Sequence, residues 1–155
     1  KKIAPKSVLI NIARKEAQKI LGLIAQGIDP FEEKKKLQNK KIQAYRRGIR
    51  AEIIAGLYLS VTGWRVLAWR WKCPLGEIDL VAKRGKIISF IEVKARQNEQ
   101  AAIDSITAHQ WRRISEAADL FMARHGQYTD CSWRFDAIII VPRKWPRRFK
   151  NMWLD

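Results

Sequence analysis

The chain has 155 residues, 47% apolar and 30% charged, which is enough to form one packed domain and argues against disorder throughout. Its 31 Lys and Arg residues against 15 Asp and Glu give a net charge of +16, which favours a polyanionic partner, nucleic acid before anionic membrane. The composition excludes a bilayer span, because no apolar run approaches ~20 residues. It also excludes a disulfide scaffold and a structural zinc site, since Cys73 and Cys131 form no ligand pattern. Two lone cysteines indicate a reducing, cytoplasmic location.

The first 41 residues are especially basic, with 11 Lys and Arg against 4 acidic residues. Apolar residues at helical spacing predict a helix that begins near Ser7 and ends before Gly27 and the Asp29-Pro30 pair. We interpret residues 32–41, with three consecutive lysines, as a linker or frayed helix. The chain is therefore divided into a basic helical extension over 1–41 and a domain over 42–155.

Within residues 12–36, the segments Ala13-Arg14-Lys15-Glu16-Ala17 and Leu23-Ile24-Ala25-Gln26-Gly27-Ile28-Asp29-Pro30 resemble the N-terminal arm region of prophage-type tyrosine integrases. No recombinase catalytic domain accompanies them, so we expect no integrase activity. The alternative interpretation is a detachable basic helix without a further relationship.

The remaining elements are regular. In chain order they are a helix over 43–61, strands over 64–71, 77–83 and 86–95, a helix that a capping box opens at Thr107 and Gly126 ends, and a strand over 133–141. This α-β-β-β-α-β order predicts an α/β fold with a central mixed sheet flanked by helices.

The second and third strands carry the candidate chemistry. A two-residue turn at 84–85 would place residue 83 opposite residue 86. Because side chains alternate along a strand, Glu77, Asp79, Glu92 and Lys94 then share one face. Asp79 and Glu92 become diagonal neighbours within reach of a common cation. The opposite face is apolar and predicts core: Ile78, Leu80, Ile91 and Val93.

Three close carboxylates repel one another and need positive charge nearby. Lys94 supplies one charge, and a divalent cation such as Mg²⁺, which prefers oxygen ligands, would supply the rest. Such an ion could activate a water for phosphoryl chemistry. The alternative is an ordinary solvent-facing side of a sheet with Glu–Lys pairs.

Glu52 adds to this pattern. It lies in the apolar stripe of its helix, with Ile49 three residues before it and Gly56 four residues after. A buried carboxylate needs a partner, which could be Arg50, a backbone donor or the same acidic cluster. The alternative is a partly exposed glutamate at the edge of the stripe that pairs with a neighbouring arginine.

Four motifs in this order resemble the YraN family of small bacterial proteins. They are Arg47-Gly48-Ile49-Arg50-Ala51-Glu52, Gly76-Glu77-Ile78-Asp79-Leu80, Phe90-Ile91-Glu92-Val93-Lys94-Ala95-Arg96 and Arg134-Phe135-Asp136. The resemblance covers residues 45–155. The family is similar to the PD-(D/E)xK endonuclease superfamily and to archaeal Holliday-junction resolvases. The resemblance implies a restriction-endonuclease-like core and Mg²⁺-dependent hydrolysis of phosphodiester bonds.

Position by position, the resemblance implies that Asp79, Glu92 and the Val93 carbonyl hold Mg²⁺ or Mn²⁺. Lys94 corresponds to the active-site lysine and Glu52 to an acid that many members add on a helix; Glu77 belongs to the motif without an assigned role. The chain departs from the family pattern at His109-Gln110-Trp111, where a lysine commonly begins the helix, and at 97–100, where a Gly-containing loop is usual.

The expected partner is DNA, in branched or repair-intermediate form, and a homodimer would suit such substrates by family analogy. Candidates for neutralising its phosphates are Arg46, Arg47, Arg50, Arg112, Arg113, Arg147 and Arg148. The alternative function is a non-catalytic DNA-binding or scaffolding module that retains the nuclease fold. We expect no membrane partner, because no helix combines a wide apolar face with a purely basic one.

Several other residues receive structural interpretations. Trp69 and Trp71 share one strand face, where we expect cross-strand packing more than base stacking. His109 and His125 are treated as surface or capping residues apart from the acidic cluster. Asp136, in a buried strand, is expected to pair with an arginine.

Overall fold

The computed structural model describes the backbone of residues 6–152 and all side chains in that range except those of residues 6, 7 and 9. The chain forms two units, Lys1–Tyr45 and Arg46–Asp155.

Two helices lie within residues 6–61. Helix α1 spans Lys6–Ala25 and is followed by Gly27, whose φ of +73° is the left-handed conformation that ends helices. Helix α2 spans Pro30–Val61, and the Asp29 carboxylate accepts a 2.8 Å hydrogen bond from the Phe31 N–H. Residues 32–41, interpreted from the sequence as a linker or a frayed helix, therefore lie inside α2. Pro30 suits the first helical position, and Glu32 and Glu33 in the first turn favour the helix N-terminus.

The second unit contains a five-stranded sheet. Its elements are strands β1 (Arg65–Cys73), β2 (Gly76–Arg84) and β3 (Ile87–Ala95), helices α3 (Glu99–Asp104) and α4 (Ala108–Arg124), and strands β4 (Ser132–Ile140) and β5 (Arg147–Phe149). The strands lie in sequence order; β1, β2 and β3 are antiparallel, β4 runs parallel to β3, and β5 is antiparallel to β4. The predicted α/β class with a mixed sheet is confirmed. Helix α3 and strand β5 were not predicted.

The β2–β3 hairpin has a different register from the predicted one. Arg84 pairs with Ile87 and Leu80 with Ile91, so the turn is formed by residues 85 and 86 rather than 84 and 85. Gly85 has a φ of +58°, which suits the first central position of a type II′ turn. The register differs by two residues, so Asp79, Leu80, Ile91 and Glu92 stay on the predicted faces.

Two layers of apolar side chains cover the sheet. On one face, Phe90 and Phe135 pack with Trp111, Ile114 and Phe121 of α4. On the other face, a second cluster joins the sheet to the last turns of α2 and to the start of β1: Ala51, Ala55, Leu59, Trp64, Leu80, Ala82, Ile91, Val93 and Ile138. The predicted apolar face of α4 is confirmed, as is the predicted core position of Leu80, Ile91 and Val93.

Strand β1 changes face at Arg70. This residue has a φ of +46°, an uncommon conformation for a non-glycine residue. Trp71 packs on Phe121 of α4, with ring centroids 5.4 Å apart, whereas Trp69 lies against Gly56 of α2. The prediction that Trp69 and Trp71 share a face is therefore wrong. Ile78, which pairs with Trp71, accordingly belongs to the α4 cluster and not to the cluster of Leu80 and Ile91.

The buried carboxylate of Asp136 on β4 is surrounded by hydrogen-bond donors from four residues. Its carboxylate accepts hydrogen bonds from Ser89 Oγ, Arg134 Nε, Arg148 and the Asn151 N–H. The predicted arginine pairing is confirmed. The guanidinium of Arg148 also lies 3.8 Å from the Trp64 ring centroid. The ion pair between Arg148 and Asp136 therefore adds a side-chain contact between β5 and β4.

None of the helices in residues 6–152 has the length and apolarity required to cross a membrane.

Candidate active site

Asp79 and Glu92 come together where the β2–β3 ladder ends. The ladder stops at the pair Leu80–Ile91, one residue short of Asp79 and Glu92. Instead of a backbone pair, Oδ2 of Asp79 accepts a 2.8 Å hydrogen bond from the Val93 N–H. Glu92 is almost fully buried, with 4% of its surface exposed. The diverging strands therefore hold two carboxylates side by side on the α4 face of the sheet.

The pKa values of both acids are raised above their ordinary values. Burial, and to a smaller extent the charge of Asp79, raise the pKa of Glu92 to about 7. Lys94 and Gln110 act in the opposite direction. Burial also raises the pKa of Asp79, against the Val93 hydrogen bond and the charge of Lys94. The positive charge around the pair is thus too small to balance it.

Two donors converge on Oε1 of Glu92. Lys94 Nζ lies 2.5 Å away and Gln110 Nε2 lies 2.6 Å away. Gln110 belongs to the predicted capping box, and the Thr107 hydroxyl does accept from the Gln110 N–H at 3.2 Å. In a capping box the Gln110 side chain would also bond to the backbone N–H of Thr107. Here the Gln110 side-chain amide donates to Glu92 instead. Sequence reasoning assigned Gln110 to helix capping and missed this contact.

Glu52 and Glu77 form a second acidic pair around Arg70. Arg70 Nε donates to Glu77 Oε1 at 2.9 Å and lies 3.8 Å from Glu52 Oε2. Lys72 adds a contact of 3.4 Å to Glu77. Burial and then the charge of Asp79 raise the pKa of Glu52, whereas Arg70 lowers it. Glu52 is therefore buried beside the site as predicted, but its partner is Arg70 and not Arg50.

Arg70 was not among the predicted site residues. Its positive φ turns the side chain toward Glu52 and Glu77. A strained conformation of this kind costs on the order of 1–3 kcal/mol and often marks a functional position. The composition of a single strand carries no signal for it.

An open cavity of about 380 Å³ lies in front of these acids. Its sheet wall is formed by Arg70, Glu77, Asp79 and Glu92. Its helix wall is formed by His109, Gln110, Arg113 and Ile114 of α4. The interpretation of His109 as separate from the acidic cluster is therefore wrong, since the first turn of α4 faces the ends of β2 and β3.

Two carboxylates, and not the predicted three, are placed to bind a single hard cation. Within the described residues, no three His, Cys, Asp or Glu side chains are grouped as metal ligands. Glu77 is held by Arg70 and Lys72, which leaves Asp79 and Glu92. Two neighbouring, under-compensated carboxylates match the needs of Mg²⁺, which typically takes one or two protein carboxylates and keeps several waters.

The predicted phosphate-binding arginines fall into three groups. Arg148 is excluded, because its side chain is 6% exposed and paired with Asp136. Arg147 is 65% exposed but pairs with Glu99 at 2.7 Å. The other five lie on exposed helix surfaces: Arg46, Arg47 and Arg50 on α2, and Arg112 and Arg113 on α4.

Comparison with known proteins identifies the family. A model of the uncharacterised protein family UPF0102 matches residues 51–140. The chain belongs to this family. A UPF0102 protein of Parvibaculum lavamentivorans is 45% identical over 112 residues, which is 72% of this chain and 84% of the relative. A UPF0102 protein of Agrobacterium fabrum is 44% identical over 111 residues, 72% of this chain and 91% of the relative.

UPF0102 is the YraN family, so the resemblance of residues 45–155 is confirmed. The family model does not extend over residues 12–36, and the resemblance to integrase arms stays a prediction. Among solved structures, the Holliday junction resolvase Hjc of Archaeoglobus fulgidus is similar, with a TM-score of 0.41, 21% identity and coverage of 66% of this chain and 76% of that one.

Proposed function

We propose that this UPF0102 protein is a metal-dependent endonuclease that hydrolyses DNA phosphodiester bonds. The observation that carries the proposal is the buried pair of Asp79 and Glu92, in which burial and then the charge of Asp79 raise the pKa of Glu92 to about 7. A protein gains nothing structurally from two adjacent, poorly compensated carboxylates, and such pairs concentrate at functional sites. The family resemblance, with a restriction-endonuclease-like core, supports the same chemistry.

Each site residue receives a role under this proposal. Asp79, Glu92 and the Val93 carbonyl would hold Mg²⁺ or Mn²⁺. When bound, the ion supplies a water of lowered pKa and neutralises charge that develops on the phosphoryl group. Lys94, already 2.5 Å from Glu92, orients the attacking water. Glu52 and Arg70 support the site from the α2 side through their ion pair.

The substrate side of the proposal rests on charge. A net charge of +16 and the exposed arginines of α2 and α4 favour the DNA backbone over base-specific recognition. Branched DNA or repair intermediates in the cytoplasm, and action as a homodimer, complete the proposal by family analogy. Arg46, Arg47, Arg50, Arg112, Arg113 and Arg147 remain the phosphate-binding candidates.

A cleavage assay tests the proposal. The protein is incubated with branched, duplex and single-stranded DNA in Mg²⁺, in Mn²⁺ or in EDTA. We expect cleavage that needs the metal and that Glu92→Ala abolishes, at an unchanged circular dichroism spectrum. Glu116→Ala removes an exposed glutamate of α4 and should cleave normally. Cleavage that survives Glu92→Ala would contradict the assigned site.

A second function, a non-catalytic DNA-binding module, is favoured by one observation. Both Lys94 and Gln110 donate to the same oxygen of Glu92, so an ion must compete with two hydrogen bonds for it. This function predicts strongly salt-dependent DNA binding without hydrolysis in any metal.

A further inference from the structure

The cavity has two chemically different walls. The sheet wall presents Asp79, Glu92 and Glu77, with Arg70 paired to Glu77, whereas the helix wall presents the cationic Arg113 together with His109. A bare acidic cleft repels a phosphate anion, so a strand can approach Asp79 and Glu92 only where positive charge faces them. On the sheet side Arg70 and Lys94 are paired with Glu77 and Glu92, and the helix wall adds Arg113 opposite the acids.

Arg113 is positioned by the turn between β1 and β2. Its Nε donates to the Leu75 carbonyl oxygen at 3.3 Å, which directs the guanidinium along the cavity rim. The backbone of α4 also approaches β2 closely at this point. A Cβ at Gly76 would lie 2.8 Å from the Arg113 carbonyl oxygen, so a side chain at position 76 would push the helix away. Gly76, the first residue of the Gly76–Leu80 motif, thus fixes the distance between the two walls.

His109 and Arg113 lie on the same face of α4, because residues four apart in a helix are neighbours. Both line the cavity, whereas Arg112, next to Arg113 in the chain, does not. Arg112 and Arg113 have the same charge and are both exposed. They differ in the direction in which the helix presents them.

We propose that Arg113, with His109 beside it, binds a phosphate of the nucleic-acid strand that enters the cavity, opposite Asp79 and Glu92. Arg113 is the residue of the helix wall suited to this task, since guanidinium groups form paired hydrogen bonds with phosphate oxygens. The proposal rests on the proposed function for its choice of ligand and deepens it: Arg113 binds substrate inside the cavity, which Arg112 does not line.

The experiment uses thymidine 3′,5′-bisphosphate, which carries phosphates on one nucleotide and is small enough to report on the cavity alone. Binding to the full chain in Mg²⁺ is measured by calorimetry for the unmodified protein, Arg113→Ala and Arg124→Ala, the last at an exposed arginine of α4 that does not line the cavity. We expect Arg113→Ala to weaken binding about tenfold or more, the usual effect of removing a charged hydrogen-bond donor, and Arg124→Ala to change it by less than about twofold. Both side chains are exposed, so both variants should fold.

Equal losses in the two variants, an unchanged affinity in Arg113→Ala, or no binding to the unmodified protein would each overturn the inference. DNA cleavage by the same variants separates this failure from that of the proposed function. Cleavage at the normal rate by Arg113→Ala contradicts the inference and leaves the nuclease proposal intact. Bisphosphate binding that depends on Arg113, in a protein that cleaves no DNA, supports the inference and contradicts the nuclease proposal.

Discussion

Asp136 and Glu92 are buried carboxylates on neighbouring strands of one sheet, and their surroundings are opposite. Asp136 on β4 is fully buried and accepts hydrogen bonds from Ser89, Arg134, Arg148 and the Asn151 N–H. Glu92 on β3 is 4% exposed and has Lys94 and Gln110 as donors, with a second carboxylate, Asp79, beside it.

The difference separates a structural polar group from a functional one. Two arginines balance the single negative charge of Asp136, and Ser89 and the Asn151 N–H add further hydrogen bonds. This cluster therefore needs no ligand. The donors around Glu92 and Asp79 leave the pair short of positive charge, and burial then raises the pKa of both acids. An added divalent cation would complete the second cluster and has no role in the first.

The largest expected effect comes from breaking the complete cluster. Asp136→Ala leaves the guanidinium of Arg148 buried without its counter-charge, and removing one partner of a buried ion pair costs about 3–5 kcal/mol. Urea unfolding measures the free energy of unfolding. Asp119→Ala, an exposed aspartate of α4, serves as the control and should change it by less than about 0.5 kcal/mol. Similar small losses in both variants would mean that the Asp136 cluster is not structural.

Removing the charge of Glu92 should instead increase the free energy of unfolding at neutral pH. Since the pKa of folded Glu92 is about 7 and its ordinary value is 4.5, the folded state holds a proton between these pH values that the unfolded state has lost. Stability from this group is therefore present at low pH and is lost as pH rises from 4.5 through 7. Glu92→Gln removes that loss.

Without metal, we expect Glu92→Gln to gain on the order of 2–3 kcal/mol relative to the unmodified protein between pH 4.5 and pH 8. Urea unfolding of both proteins in EDTA at the two pH values measures this. A constant stability difference at both pH values would show that Glu92 titrates normally and would remove the main support for the site.

The sequence was sufficient to predict the faces of the hairpin but not its register. Moving the turn from residues 84–85 to 85–86 displaces the pairing by two positions, and a period of two leaves Asp79 and Glu92 on the same face. The Glu52 position followed from helical spacing in the same way. Periodic features survive small errors of this kind.

Non-periodic features were missed. The left-handed conformation of Arg70 separates Trp69 from Trp71 and turns an arginine toward the acids, and local sequence does not encode it visibly. The burial of Arg148 depends on Asp136 and Trp64, which are distant in the chain. Gln110 fitted a capping box, and its contact with Glu92 exists because α4 packs beside β3. The burial of Arg148 and the Gln110–Glu92 contact thus depend on residues far apart in the chain, which periodicity does not reveal.

The central claim is that Asp79 and Glu92 bind one divalent cation between them, and Mn²⁺ binding tests it most directly. Electron paramagnetic resonance of free Mn²⁺ counts the ions bound by the unmodified protein, Asp79→Asn and Glu92→Gln. Both substitutions keep the shape of the side chain and remove its charge. We predict one bound ion per chain in the unmodified protein, and its loss in either variant, because each carboxylate is needed. Equal Mn²⁺ binding by all three proteins would contradict the account.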